Sequence, residues 1–163
     1  MPRGLVRINK ENFMIDSPIK WKNNGLPRKG WELNDVIDTE NIDNQCDWCG
    51  TSIRYLHFLH HKEDNLTTTC GCICAEHLTQ DYINPKKKEK ELKIFMRKKN
   101  KFLESFKIGK NCFYSKFFGF DKFVMVFQKK DDFFYLKIGN TWGKKSYIVF
   151  EQACIAAFYY LTK

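Results

Sequence analysis

Residues 46 to 78, CDWCGTSIRYLHFLHHKEDNLTTTCGCICAEHL, hold five of the chain's seven cysteines and all four of its histidines. Thiolate and imidazole groups at this density constrain the fold strongly, because a divalent metal can organise a segment too short to bury a core of its own. Cys46-x-x-Cys49 followed by Gly50 puts two thiolates on one tight turn, and the glycine lets the backbone turn away afterwards. A second cluster, Cys70, Cys72 and Cys74, follows at a distance that fits a short hairpin, IRYLHFL returning through NLTTT, and leads into a helix start at AEHLTQDY. Knuckle, hairpin and ligands at the mouth of a helix predict a zinc-knuckle, treble-clef-like module. The expected ligands are Cys46, Cys49, Cys72 and Cys74, with His77 or Cys70 as alternatives for the fourth position. Cys112 and Cys154 lie outside the cluster and read as buried small hydrophobes.

Metal ligands are preferred over disulfides because the chain reads as cytoplasmic. The opening residues MPRGLVRINKENF lack the apolar run of a signal peptide, and no uncharged stretch of about 18 apolar residues is present to enter a membrane. A reducing compartment keeps thiols free, and an odd number of cysteines agrees.

Charge divides the chain unevenly. Residues 84 to 107 carry ten Lys or Arg against Glu89, Glu91 and Glu104, and residues 108 to 163 carry nine against four, whereas residues 46 to 83 carry two against five. A net charge of +9 concentrated in one half points to a phosphate-bearing partner. Nucleic acid is the expected partner, with DNA ahead of RNA, and no membrane is implied. The expected contacts are Lys86, Lys87, Lys90, Lys93, Arg97, Lys98 and Lys101 on the helix, joined by Lys144 and Lys145 further on.

The expected fold class is α+β, in four segments. Residues 1 to 35, with three of the four prolines, form an irregular arm pinned by Trp21 and Trp31, and residues 36 to 83 form the zinc-binding module. WELNDVIDTENI leads into that module as a short strand and turn. A long basic helix covers residues 84 to 107, started by Asn84 as N-cap with Pro85 at the first helical position. Leu92, Phe95, Met96, Phe102, Leu103 and Phe106 recur at helical spacing on its packing face. Residues 108 to 163 form a three-stranded antiparallel sheet, from FVMVF, FFYLKI and KKSYIVF, with a C-terminal helix over EQACIAAFYYL. Among the interleaved aromatics, Tyr114 and Trp142 are candidates for stacking on bases, together with Lys116.

The series Cys46-x-x-Cys49-Gly50, Ile53-Arg54-Tyr55-x-His57 with His61 following, Gly71-Cys72-x-Cys74-Ala75 and Asp81-Tyr82 resembles a family of small, mostly uncharacterised bacterial and phage zinc-binding proteins. The resemblance covers residues 31 to about 163 in order of elements and is specific in the Cys/His block. It implies Cys72 and Cys74 as the second ligand pair and makes Arg54 and His57 part of the pattern; Cys70 departs from it, where an apolar residue is expected. The C-terminal forty or so residues resemble the small three-stranded-sheet-plus-helix DNA-binding domains of plant ethylene-response factors and phage integrase arms.

The histidines open a second reading. LHFLHH followed by Asn65 is similar to the HNH nuclease motif, in which a histidine activates water beside a metal-held phosphate, so His57 and His61 are the alternative catalytic pair. The spacing between His61 and Asn65 is shorter than in such nucleases, and no pair of acids accompanies it. No catalytic residue is therefore expected, with an HNH-like metal-dependent nuclease as the first alternative and a protein-interaction adaptor of phage or mobile-element origin as the second.

Overall fold

The computed structural model describes residues 25–116, 121–129 and 131–163. Most of the arm, including Trp21, lies outside them. The chain is α+β and divides into two compact units, one ending at Glu89 and one beginning at Lys90, inside a helix.

The first unit is built on an antiparallel sheet of order β1-β4-β5, from β1 (Trp31–Asp38), β4 (Tyr55–His61) and β5 (Leu66–Cys70). Between β1 and β4 lie two two-residue strands, β2 (Asn44–Gln45) and β3 (Ser52–Ile53), which pair with each other around the Cys46–Gly50 turn. Residues 31 to 35, expected to belong to the arm, form the first part of β1 and pair with β4 from Trp31 opposite His61. Trp31 explains this: its ring is 2% exposed, stands edge-on to Trp48 at 5.9 Å, and its indole N–H donates to the Pro27 carbonyl at 2.6 Å. Burial of that ring ties the end of the arm to the sheet. The β4–β5 hairpin turns at Asn65, which holds a left-handed φ of 51° that asparagine tolerates better than most residues. Helix α1 (Cys72–Thr79) follows β5 after Gly71 and packs on β1 and β4.

Helix α2 spans Asn84–Glu104. Its start is organised by Asp81 and not by an Asn84 cap: the Asp81 carboxylate accepts the N–H groups of Asn84 at 2.9 Å and Ile83 at 3.0 Å. Those donors, Asn84 first, hold the Asp81 carboxyl below its ordinary range.

The second unit contains a five-stranded antiparallel sheet of order β10-β9-β8-β7-β6, in place of the three strands expected. The three expected segments are β8 (Val124–Gln128), β9 (Phe134–Ile138) and β10 (Thr141–Tyr147). The additions are β6 (Lys107–Ile108) and β7 (Phe113–Ser115), which are too short to show a period of two in the sequence and exist through pairing, β7 with β8 and β6 with β7. β10 starts earlier than KKSYIVF because the β9–β10 hairpin turns at Gly139, at φ 57°, leaving Thr141 opposite Ile138. Its last residues, Val149 and Phe150, instead open helix α3 (Phe150–Leu161). Alternation along FVMVF alone would put Phe123, Met125 and Phe127 inside, but the structure buries the opposite face: Val124, Val126, Leu136 and Ile138 point inward, where they meet Ala153, Cys154, Ala157 and Phe158 of α3 and Phe102 of α2, and Phe123 is 38% exposed. Cys154 is thus a buried small hydrophobe, 1% exposed, and burial pushes its thiol up to about 12.

Candidate metal centre

The Cys46–Gly50 turn is tied down from both ends and from its middle. Cys46 N–H donates to the Thr51 carbonyl at 2.9 Å, and Gly50 N–H to the Cys46 carbonyl at 2.8 Å with Gly50 at φ 72°. Between the thiols, the Asp47 carboxylate accepts from Thr69 N–H at 2.6 Å and from the hydroxyls of Thr68 and Thr69 at 3.0 and 2.9 Å. The Trp48 indole N–H donates to the Thr68 hydroxyl at 3.1 Å. The two residues inside C-x-x-C therefore lock the turn onto β5, which carries the chain to α1.

This locking brings three thiols together. The sulfurs of Cys46, Cys49 and Cys74 lie within 4.8 Å of one another, with Cys46 and Cys74 buried. Two sulfurs on one tetrahedral ion held at about 2.3 Å stand about 3.8 Å apart, so the cluster is near chelating geometry. Cys46 is lowered to about 5, first by the Cys74 thiol that donates to it and then by the N–H groups of Cys49, Gly71 and Trp48, which outweigh burial. Cys74, the donor, is raised. Peptide N–H groups aimed at a buried sulfur favour the thiolate, which is the form that binds metal.

The other sequence candidates go elsewhere. Cys70 is fully buried opposite His57, and burial raises its thiol. His77 stands edge-on to Tyr82 at 5.7 Å. Cys72 lies outside the three-thiol group and is instead grouped with His57 and Glu89, the three ligand atoms within 4.8 Å of one another. Burial, followed by the carboxylates of Glu89 and Glu76, pushes Cys72 up to about 12, so its thiol stays protonated unless a cation is beside it. Glu89 was not singled out by the sequence reading. The available signal was that it is one of three acids in the lysine-rich segment 84 to 107.

The two candidate catalytic histidines are structurally different. His61 is 4% exposed; its Nδ1 accepts Asp64 N–H at 3.3 Å, its Nε2 donates to the Lys29 carbonyl at 3.1 Å, and its ring packs on Trp31 at 5.2 Å. A Cβ on Gly30, at φ 85°, would stand 2.7 Å from that Nε2. Both ring nitrogens are committed to the fold, so we expect His61→Ala to lower the stability of this unit by about 1–3 kcal/mol, read as a shift in the denaturation midpoint of the Trp31 and Trp48 fluorescence. An unchanged midpoint with loss of a metal-dependent nuclease activity would reverse the assignment. His57 is 0% exposed, and neither ring nitrogen has a hydrogen-bond partner. Burial lowers its pKa, against the pull of Glu89 and of the backbone carbonyls of Pro85, Tyr55 and Cys70. Arg54, the other residue of the family-like pattern, makes a two-pronged ion pair with Asp38 at 2.7 and 2.9 Å.

The basic residues fall into distinct environments. Lys86 pairs with Glu76 at 2.9 Å, and Lys88 reaches the Asn34 carbonyl at 3.4 Å. Along α2, Lys90, Arg97 and Lys101 recur at three- and four-residue spacing with exposed Ile94 among them, and all are exposed. Lys87 and Lys98 are exposed as well, and Lys93 is half-buried. In the second sheet, β10 is an edge strand carrying exposed Trp142, Lys144 and Lys145. The ammonium groups of Lys137 and Lys129 stand 5.6 and 5.8 Å from the Trp142 ring. Beside it, a cleft of about 320 Å³ is lined by Leu136, Ile138, Trp142, Lys144, Lys145 and Tyr160 among others. Tyr114 is half-buried and stacks on Phe123 at 5.6 Å, whereas Lys116 is exposed.

Comparison with family models, with curated proteins and with solved structures finds no match. No helix among the described residues is long and apolar enough to cross a membrane.

Proposed function

We propose that this chain is a zinc-stabilised nucleic-acid-binding protein. The metal half of the reading rests on the three-thiol cluster: Cys46 and Cys49 from the turn and Cys74 from α1 would supply three of the four ligands of a structural Zn²⁺ in a treble-clef-like arrangement of knuckle, hairpin and helix. Zinc is favoured over harder cations because all three donors are sulfur. The binding half rests on the exposed edge of the second sheet. An indole flanked by the ammonium groups of Lys129 and Lys137, with Lys144 and Lys145 on the same strand, combines a stacking platform with phosphate-neutralising charge. The adjoining cleft, lined by apolar Leu136 and Ile138 as well as Lys144 and Lys145, suits an unpaired base and its backbone. Lys90, Arg97 and Lys101 of α2 supply further phosphate contacts without reading sequence.

The test is a salt titration of binding to labelled single-stranded and duplex DNA and to RNA. The expected result is a log–log slope of about −0.7 per phosphate neutralised on single strands and −0.9 on duplex. An affinity that does not change between low and physiological salt would remove nucleic acid and favour the adaptor.

A further inference from the structure

We infer a second metal site in the first unit, formed by His57, Cys72 and Glu89 and separate from the three-thiol cluster. Its ligands come from three elements: His57 from β4, Cys72 from the first turn of α1, and Glu89 from the second turn of α2. One ligand atom of each lies within 4.8 Å of the other two.

Three observations point to a cation at this place. His57 is fully buried with both ring nitrogens unpartnered, and buried polar atoms without partners are rare because nothing replaces their lost water. His57 Nε2 and Glu89 Oε2 stand 3.6 Å apart, which is too long for a hydrogen bond. It is close to the spacing of about 3.3 Å between nitrogen and oxygen ligands on one tetrahedral ion, each held at about 2.0–2.1 Å. Finally, the Cys72 thiol donates to Glu76 at 3.8 Å while its sulfur lies within 4.8 Å of both the His57 ring and the Glu89 carboxylate, so that on losing its proton it adds a third donor at the same point. Glu76, 4% exposed and paired with Lys86, would support the sulfur from outside the coordination sphere.

The donor set selects the ion. One imidazole, one thiolate and one carboxylate suit a borderline transition metal such as Zn²⁺ or Co²⁺, and not Ca²⁺ or Mg²⁺. With three protein ligands, and with Cys72 and Glu89 partly exposed, the fourth position opens on their side to water or an exchangeable anion. The same three residue types could instead form a thiol–imidazole–carboxylate nucleophile, but His57 has no exposed surface from which to pass a proton to a substrate.

The test counts metals on the full-length chain by native mass spectrometry after exchange into Zn²⁺, together with the visible spectrum of the Co²⁺ form. We expect two ions per wild-type chain. Cys72→Ser and, separately, Glu89→Gln should each reduce the count to one while the near-ultraviolet circular dichroism of Trp31 and Trp48 is retained. Because Glu89 lies on a helix surface and is only partly buried, its variant preserves the test if Cys72→Ser fails to fold. The Co²⁺ spectrum should keep its intense thiolate charge-transfer bands from the three-cysteine site in both variants. One ion per wild-type chain, or two ions retained in either folded variant, overturns the site and leaves His57 and Glu89 as neighbours 3.6 Å apart with no metal between them. Loss of all metal from Cys72→Ser also overturns it, by assigning Cys72 to the three-thiol cluster.

Discussion

Chelation of the metal proposed at the three-thiol cluster should unfold the first unit. Its core consists of Trp31, Trp48, Leu59, Ala75 and Leu78 packed around Cys46, Cys70 and Cys74, so two cysteines of the three-thiol cluster are part of the hydrophobic core itself. A cation among these three neighbouring sulfurs would turn them into ligands at ordinary bonding distances. Structural zinc in small domains contributes on the order of 10 kcal/mol, which exceeds the net stability of most domains. The expected result is a red shift of the Trp31 and Trp48 emission, now 2% and 1% exposed, with loss of their near-ultraviolet signal. The second unit has its own core around Phe102, Val126 and Phe158, so its slowly exchanging amides should persist. Cys46→Ser should resemble the chelated protein even with metal in excess. A metal-free chain that keeps both indoles buried would show that the cluster is dispensable.

The second large effect is expected from charge reversal on α2. Lys90→Glu, Arg97→Glu and Lys101→Glu together remove three cations and introduce three anions on one helical stripe. If each side chain neutralises one phosphate, the slope of log affinity against log salt on duplex should fall by about 2–3, and affinity at low salt by about a hundredfold or more. All sequences should be affected alike, because phosphate contacts carry no base information. Trp142→Ala separates the two contributions. It should weaken single strands by about 1–3 kcal/mol through lost stacking and leave the duplex salt slope unchanged. A triple variant that binds as tightly as the wild type would place the interaction off α2.

The C-x-x-C turn, the hairpin after it, the long basic helix, the three main strands of the second sheet and the terminal helix were legible in the sequence. Each rests on local chemistry: a glycine after paired thiols, apolar residues at periods of two or of three to four, proline at a helix start. What the sequence did not show is how the second thiol cluster divides. Cys72 and Cys74 share a face if the segment is extended, and a C-x-C pair then reaches one ion. In the structure α1 begins at Cys72, and two residues on a helix differ by about 200° of rotation, so the two sulfurs point to opposite sides. Cys74 joins Cys46 and Cys49, and Cys72 joins His57 and Glu89. Where the helix starts is decided by packing of Ala75 and Leu78 into the first unit's core, a tertiary term that no spacing rule contains. The approach of Glu89 to His57, thirty-two residues earlier in the chain, is of the same kind. Residue types and local periods set the elements and the chemistry available to them; only packing decided which side chains meet.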